Sequence, residues 1–225
     1  INVTKEMIDS LEIFKDNSHN DCSNRLLSLI SSQINESETF SIGLSGGSTP
    51  KFFYELLTEK YKKYSNIYLW TVDERHVDKN DENSNQKMIN TIFGNSNLNI
   101  IEYSYHEDPQ YSADSYTSAV LNKIDRFNAA ILGVGEDGHI ASLFPNTPAL
   151  EADKKGFIEN EVNILSKWRI TSTFQLLKDV ENLYLLVTGE NKKEIIKQIG
   201  KENNLPVNEL IRLRKKTILL TDQKI

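Results

Sequence analysis

The sequence contains a single cysteine, and this scarcity excludes several classes of protein. Cys22 has no second cysteine to pair with, so neither an internal disulfide nor a two-cysteine metal site can form. The four histidines are scattered and none lies in an HExxH pattern, so no metal site is expected. No apolar run approaches the roughly 18 residues that span a bilayer, and the N-terminus lacks the layout of a secretory signal. We therefore expect a cytoplasmic protein with no membrane partner.

Basic residues are fewer than acidic ones. The chain has 26 Lys and Arg and 32 Asp and Glu, which give a formal net charge of -6. Binding to nucleic acid needs a basic face, so nucleic acid is not an expected partner. An anionic small molecule would have to be held by a few local cations near loops. With 225 residues, of which 38% are hydrophobic, the chain suits one core, and we expect residues 1–225 to form a single domain. A start at Ile1 suggests a trimmed chain or a domain excised from a longer polypeptide.

Short apolar runs alternate with segments of helical periodicity along most of the chain. Strands are expected at Phe40–Leu44, Ile67–Val72, Ile100–Tyr105, Ala129–Leu132, Arg169–Thr173, Leu183–Thr188 and Thr217–Leu220. Helices are expected at Lys51–Tyr64, Ser84–Phe93, Tyr111–Ile124 and Asn191–Ile199, and an N-terminal helix around Cys22. Alternation of this kind predicts an α/β fold, a mainly parallel, Rossmann-like sheet with helices on both faces.

Three segments contain residue types that can bind a ligand or catalyse a reaction: SGGSTP, DER and GEDGH. Each directly follows a predicted strand. Ligands of open parallel sheets bind outside the carboxyl ends of the strands. We therefore expect these segments to meet at one edge of the sheet.

The glycine-rich segment from Ser45 to Thr49 is suited to holding a phosphate. It offers backbone N–H groups, hydroxyls and a helix N-terminus whose dipole favours an anion, with Thr49 as the expected N-cap and Pro50 in the first turn. An ordinary glycine turn explains the same residues equally well. The segment is neither a Walker A loop nor a dinucleotide fingerprint, so ATP and NAD are not indicated, and no cofactor is expected.

Arg75 and His139 are the candidate reactive side chains. Arg75 can bind substrate oxygens with two N–H groups, and Asp73 would support its guanidinium, although an ion-pair cluster at a strand end explains the DER segment as well. His139 follows a glycine turn and precedes the apolar segment Ala141–Phe144, so we expect it at the sheet edge beside a packed apolar wall. A neutral imidazole near pH 7 is a natural base for activating water. The other three histidines are expected to be solvated. No GxSxG elbow is present, so direct attack by water is favoured over a covalent nucleophile.

The segments LSGGSTP, VDERHV, NQKM, LGVGEDGHIASLFP, WRIT and VTGENKK, in this order, resemble the 6-phosphogluconolactonase family. The match covers most of Phe40–Lys193, and its most specific part is Leu132–Pro145. After Asn203 the resemblance weakens, because the C-terminal segment lacks the tryptophan that family members usually carry there. The family shares a superfamily with glucosamine-6-phosphate deaminases.

The resemblance implies a role for each matched residue. His139 is the implied base, Asp137 orients it or tunes its pKa, Arg75 positions substrate or stabilises charge, and Asp73 supports Arg75. The implied phosphate-binding and substrate-binding residues are Gly46, Gly47, Ser48, Thr49, Arg75, Arg169 and Lys192, with Lys192 preferred over Lys193.

The implied activity is the hydrolysis of 6-phospho-D-glucono-1,5-lactone to 6-phosphogluconate in the oxidative pentose phosphate pathway. A deaminase is the nearest alternative, but deaminases carry a glutamate shortly after the histidine and an aromatic residue where this chain has Arg75. A sugar-phosphate-binding domain without activity is a third alternative. Some family members are fused to glucose-6-phosphate dehydrogenase, so fusion or association with that enzyme is a further expectation.

Overall fold

The apolar runs and periodic segments form ten strands and seven α-helices in the computed structural model, which describes residues 8–225. The strands are β1 (Leu11–Lys15), β2 (Phe40–Leu44), β3 (Ile67–Thr71), β4 (Asp73–Arg75), β5 (Asn99–Ile100), β6 (Ala129–Leu132), β7 (Phe157–Ile164), β8 (Ser166–Ser172), β9 (Asn182–Leu186) and β10 (Thr217–Thr221). The helices are α1 (His19–Ser31), α2 (Lys51–Tyr61), α3 (Asn85–Phe93), α4 (Pro109–Leu121), α5 (Phe174–Leu177), α6 (Lys193–Ile196) and α7 (Pro206–Leu213).

Seven strands form one sheet in the order β1-β10-β9-β6-β2-β3-β5, and every pairing in it is parallel. Successive residues of β6 and β9 alternate between two hydrophobic cores, as expected for strands buried on both faces. Helices α1, α2 and α3 contribute to one core, and α4, α5, α6 and α7 to the other. The predicted α/β fold, with helices on both faces of a mainly parallel sheet, is confirmed.

A second, antiparallel sheet of three strands, β4-β8-β7, was not predicted. The segment Arg169–Thr173 does form most of a strand, but β8 pairs with β7 and β4 and does not join the parallel sheet. Only Leu165 separates β7 from β8, and so short a connection permits antiparallel pairing alone. Sequence pattern missed β7 because half of the residues in FIENEVNI are polar, and one of its two buried residues is the polar Asn160.

Several predicted boundaries were wrong for local reasons. Pro50 is the N-cap of α2, without a side-chain cap bond, so Thr49 does not fill that position. Strand β5 stops at Ile100. The backbone N–H of Tyr103 donates to Oε1 of Gln86 at 2.8 Å and does not pair with a neighbouring strand. The helix expected at 191–199 is divided into a 3₁₀ turn (Glu190–Lys192) and α6.

The C-terminal segment contributes to the core and to the parallel sheet, although its sequence carries little family resemblance. Helix α7 starts with Pro206 at its first turn, and its residues Val207, Leu210 and Ile211 are buried in a core. Strand β10 then inserts between β1 and β9. Within residues 8–225, no helix is long and apolar enough to cross a membrane.

Candidate active site

An open cavity of about 530 Å³ lies where the loops after β2, β6 and β9 meet β4 and the tip of the β7–β8 hairpin. The three segments that were expected to meet all contribute to its lining. The predicted residues in the lining are Gly46, Gly47, Thr49, Asp73, Arg75, Asp137, His139, Arg169 and Lys192. Ser48 is exposed and lies outside the lining.

His139 and Asp137 form a pair at the centre of the candidate chemistry. Nδ1 of His139 lies 2.6 Å from Oδ1 of Asp137, and the same oxygen accepts the backbone N–H of His139 at 3.1 Å. Burial raises the pKa of Asp137, but the hydrogen bonds from His139 outweigh burial and bring this pKa below its usual value. An ionised carboxylate can only accept, so Nδ1 carries the proton and Nε2 keeps its lone pair. That tautomer is the one a general base requires.

A tight glycine turn brings the two side chains together. The N–H of Gly135 donates to the carbonyl of His139 at 2.9 Å, and the N–H of Gly138 donates to the carbonyl of Gly135 at 2.9 Å. Gly138 has a φ of 81°, which a side chain rarely tolerates. A Cβ on Gly135 would lie 2.0 Å from Nδ1 of His139. The glycines therefore allow the imidazole to fold back over its own loop.

Arg169, which is buried, and Arg75, which is partly buried, supply positive charge to the cavity. Arg75 donates from Nη1 to the carbonyl of Asn83 at 2.9 Å, and Arg169 donates from Nη2 to the carbonyl of Ile164 at 2.8 Å. The buried Nε atom of each arginine has no hydrogen-bond partner within residues 8–225. Both arginines line the cavity, and a guanidinium can bind an anion with two parallel N–H groups, so both are suited to an anionic ligand.

The carboxylates of Asp73 and Glu74 accept from a hydroxyl and from backbone N–H groups, and not from the guanidinium of Arg75. Oδ2 of Asp73 accepts the hydroxyl of Ser142 at 2.6 Å, and in the described part of the chain no ion pair joins Asp73 to Arg75. Buried Glu74 accepts three backbone N–H groups, from Arg75, Asn85 and Gln86, each at 2.7 Å. Burial raises the pKa of Glu74 to about 7, although these three donors favour its ionised form. Glu74 thereby joins β4 to the start of α3.

The glycine-rich loop is fixed by contacts with Asn85 and Tyr54. The Asn85 side chain packs against Gly46 so closely that a Cβ on Gly46 would lie 1.9 Å from its Oδ1, so only glycine allows this approach. The Tyr54 hydroxyl donates to the carbonyl of Ser45 at 2.8 Å. Gly47 has a φ of 85° and nothing lies within 4 Å of the position a Cβ would take. The loop is therefore held at its base and open above Gly47, at the N-terminal end of α2.

The structure distinguishes the two adjacent lysines. Lys192 lines the cavity and donates from Nζ to the carbonyl of Val134 at 2.8 Å. Lys193 forms an exposed ion pair with Glu190 at 3.0 Å and lies outside the lining. The arrangement favours Lys192 as the lysine that reaches a ligand.

Sequence reasoning missed several side chains that line the cavity: Asn85, Leu165 and Thr188. Phe144, which also lines it, was expected only as part of the apolar wall beside His139. Asn85 donates to the carbonyl of Asp73 at 2.9 Å, and its position in the NQKM segment was the available signal. The hydroxyl of Thr188 lies 2.8 Å from Nδ1 of His19, so His19 is not simply a solvated side chain. These two residues are 169 positions apart, so no local sequence pattern could have predicted their contact.

The cavity in this α/β fold combines a histidine–aspartate pair with three cationic side chains, an arrangement suited to acid–base chemistry on a small anion. Among residues 8–225, no group of three His, Cys, Asp or Glu side chains could hold a metal ion. The chain belongs to the family of glucosamine-6-phosphate isomerases and 6-phosphogluconolactonases, whose model matches residues 15–219.

Individual relatives agree with this assignment. The "Probable 6-phosphogluconolactonase" of Dictyostelium discoideum is 28% identical over 205 residues, which cover 86% of this chain and 87% of the relative. The 6-phosphogluconolactonase of Chlamydia pneumoniae is 34% identical over 183 residues, 76% of this chain and 70% of the relative.

Solved structures share the fold. A 6-phosphogluconolactonase from Shewanella baltica superposes with a TM-score of 0.82 at 22% identity, covering 96% of this chain and 99% of its own. A monomeric glucosamine-6-phosphate deaminase superposes with a TM-score of 0.80 at 19% identity, covering 93% of this chain and 96% of its own. The fold is therefore common to both activities, and only the site can separate them.

Proposed function

We propose that this chain is a 6-phosphogluconolactonase, which hydrolyses 6-phospho-D-glucono-1,5-lactone to 6-phosphogluconate without a cofactor. The observation that carries the proposal is the contact of 2.6 Å between His139 and Asp137 at a cavity that Arg75, Arg169 and Lys192 also line. A lactone with a phosphate needs both parts of this site: a base that activates water and cations that hold the anion.

In the proposed reaction, Nε2 of His139 takes a proton from water while the water oxygen attacks the lactone carbonyl. The carbonyl oxygen becomes an oxyanion, and the permanent charge of Arg75 stabilises it. The tetrahedral intermediate then collapses, and the bond between the carbonyl carbon and the ring oxygen breaks. The imidazolium returns its proton to the departing ring oxygen, so one histidine serves as base and then as acid. Asp137 holds the tautomer and stabilises the imidazolium in between.

The phosphate is proposed to bind at the glycine-rich loop, with Gly46, Gly47 and Thr49 offering N–H groups or a hydroxyl. Arg169 and Lys192 would supply the charge that a chain of net charge -6 must concentrate locally. Arg169 is only 4% exposed, and burial lowers its pKa without making it neutral near pH 7. Ser48 keeps at most a backbone role in this proposal, because its side chain is exposed.

Two features disfavour deamination of glucosamine-6-phosphate. The segment after His139 reads IASLFP and carries no glutamate, and Arg75 stands where deaminases have an aromatic residue. A binding domain without activity would not need the oriented His139–Asp137 pair. Both alternatives are therefore less well supported than lactone hydrolysis.

The wider setting is also a proposal. We place the enzyme in the oxidative pentose phosphate pathway of the cytoplasm, as a single domain, fused to or associated with glucose-6-phosphate dehydrogenase. The chemistry supports this, because that dehydrogenase makes the lactone that this site would consume. The one cysteine, Cys22, is buried and free, which suits a reducing compartment.

A comparison of three substrates tests the proposed function. Freshly generated 6-phosphogluconolactone should be hydrolysed well above its spontaneous rate, and gluconolactone without phosphate should be a much poorer substrate. Glucosamine-6-phosphate should release no ammonia. Ammonia release without lactone hydrolysis would establish the deaminase, and binding of sugar phosphates without turnover would establish a binding domain.

A further inference from the structure

The aromatic ring of Phe144 makes the closest ring contact to the candidate base. The imidazole of His139 stacks on Phe144 with ring centroids 4.2 Å apart and an interplanar angle of 21°. Phe144 is 7% exposed and lines the cavity. Imidazole and benzene rings at this separation are in van der Waals contact, so the ring restricts the directions in which His139 can turn.

The backbone around Phe144 is held from outside the site. The side chain of Asn160 on β7 donates to the carbonyl of Ser142 at 2.9 Å and to the hydroxyl of Thr147 at 3.0 Å. That hydroxyl in turn donates to the carbonyl of Phe144 at 2.7 Å. Ala141 adopts a φ of 48°, an uncommon value for a residue with a side chain, and it turns the chain between His139 and Phe144. The ring is therefore a fixed surface against which the imidazole rests.

The contact with Phe144 also affects the charge that forms on His139 when the imidazole takes up a proton. A cation over the face of an aromatic ring is stabilised by about 0.5–2 kcal/mol, depending on its exposure to water. The charged or titratable side chains lining the same cavity come from four elements: Asp73, Arg75, Glu136, Asp137, Arg169 and Lys192. The two arginines and the lysine oppose a further positive charge, whereas Asp137 and the ring contact His139 directly and favour it.

We propose that Phe144 is a positioning residue for the reaction, which orients the imidazole of His139 and stabilises its protonated form during catalysis. The inference rests on the proposed function in assuming that His139 becomes charged in the reaction. It goes beyond that function because it assigns Phe144 a role that acts through His139.

Kinetics of Phe144→Leu test the proposal. The leucine fills much of the space but removes the aromatic face, so kcat should fall by about 2- to 30-fold. The Arg169 guanidinium also lies over the Phe144 ring, 5.7 Å from its centroid, but it stays anchored by the carbonyl of Ile164. KM should therefore change by less than about threefold. The acidic limb of the pH–kcat profile should move to lower pH. Phe144→Tyr should restore both kcat and the profile, since it keeps the ring.

Phe127→Leu is the matched control. Phe127 is 4% exposed and has the Lys155 ammonium over its ring at 5.5 Å, but it lies outside the cavity lining. Its replacement should lower stability without moving the pH profile. A Phe144→Leu enzyme with an unchanged profile and kcat, or a loss that Phe144→Tyr does not restore, would overturn the proposal.

A measurement without substrate separates this inference from the proposed function. The imidazole C–H resonances of His139, assigned by their loss in His139→Gln, should be displaced by the ring current of Phe144. In Phe144→Leu the displacement should disappear and the titration midpoint should move to lower pH. An inactive wild-type protein with these NMR changes would refute the lactonase and leave the ring contact standing. An active lactonase without them would refute the role of Phe144 alone.

Discussion

Asp137→Asn should weaken catalysis moderately and move its pH dependence. Asparagine keeps the size of the side chain and can still accept from Nδ1, but it carries no charge. A charge-assisted hydrogen bond contributes about 1.5–3 kcal/mol and a neutral one about 0.5–1.5 kcal/mol, so the exchange costs about 1–1.5 kcal/mol. The two side chains are 49% and 30% exposed, for Asp137 and His139 respectively, and solvent screening favours the lower figure. A cost of about 1 kcal/mol corresponds to about a fivefold lower kcat.

The pH dependence follows from the same contact. Because the pKa of Asp137 is lowered in the folded chain, its stabilising contribution is complete above the ordinary carboxyl pKa of about 3.9 and is lost as the pH falls through the lower folded value. Asp137 is therefore ionised throughout an assay between about pH 5 and 8. Removing its charge destabilises the imidazolium, so the acidic limb of the pH–kcat profile should move to lower pH in Asp137→Asn.

Initial rates of lactone hydrolysis between pH 5 and 8, corrected for the spontaneous reaction, provide the assay. Glu136→Gln is the control, because it removes a neighbouring negative charge from the cavity lining without touching His139. Asp137→Ala, which removes both accepted bonds, should lower kcat by about 10- to 100-fold. Equal effects of Asp137→Asn and Glu136→Gln would refute the reasoning, since a general charge effect would then account for both.

Three further outcomes are expected. Lys192→Met should raise KM for the phosphorylated lactone by about tenfold or more through loss of a charged contact, whereas Lys193→Met should leave it unchanged in the same kinetic assay. Gly135→Ala should abolish most of the activity without unfolding the chain, because its Cβ would overlap the imidazole of His139; circular dichroism and rates measure the two effects. Burial raises the pKa of Cys22 to about 11, so a thiol reagent near pH 7 should label the unfolded chain and not the native one.

Each of these outcomes can be contradicted. Gly133→Ala is the control for Gly135→Ala, because nothing lies within 4 Å of its Cβ position, and equal loss in both variants would remove the steric argument. Equal KM changes in the two lysine variants would contradict the assignment of Lys192. Rapid labelling of the native protein would show that Cys22 is accessible, contrary to its full burial.

The parts of the fold that sequence predicts are those with a strong local signal. The strands at Phe40–Leu44 and Ala129–Leu132 were predicted with their observed bounds, since both are buried apolar runs that end in glycine turns. Strand β1 was missed although Asp, Asn and Ser residues flank it, because LEIFK is short and does not alternate polar and apolar residues regularly. The β7–β8 hairpin was missed because its pairing, and not its composition, makes it a sheet.

The candidate site divides in the same way. His139 and the glycine turn are adjacent in sequence, so their contact follows from local pattern. Asp73 was expected to support Arg75, but its carboxylate instead accepts from Ser142, 69 residues away. The stacking of Phe144 on His139 depends on the turn at Ala141, which has a φ that its residue type does not suggest. Long-range hydrogen bonds and unusual backbone angles are what the sequence could not supply.

Replacement of His139 by alanine tests the central claim most directly. Rates with freshly generated 6-phosphogluconolactone should fall by about 10²- to 10⁴-fold, the usual contribution of a general base. Calorimetric binding of 6-phosphogluconate should stay within a few-fold of wild type, and His106→Ala, outside the cavity lining, should be fully active. A His139→Ala enzyme that keeps more than about a tenth of the wild-type rate would contradict the account, because water would then be activated without the proposed base.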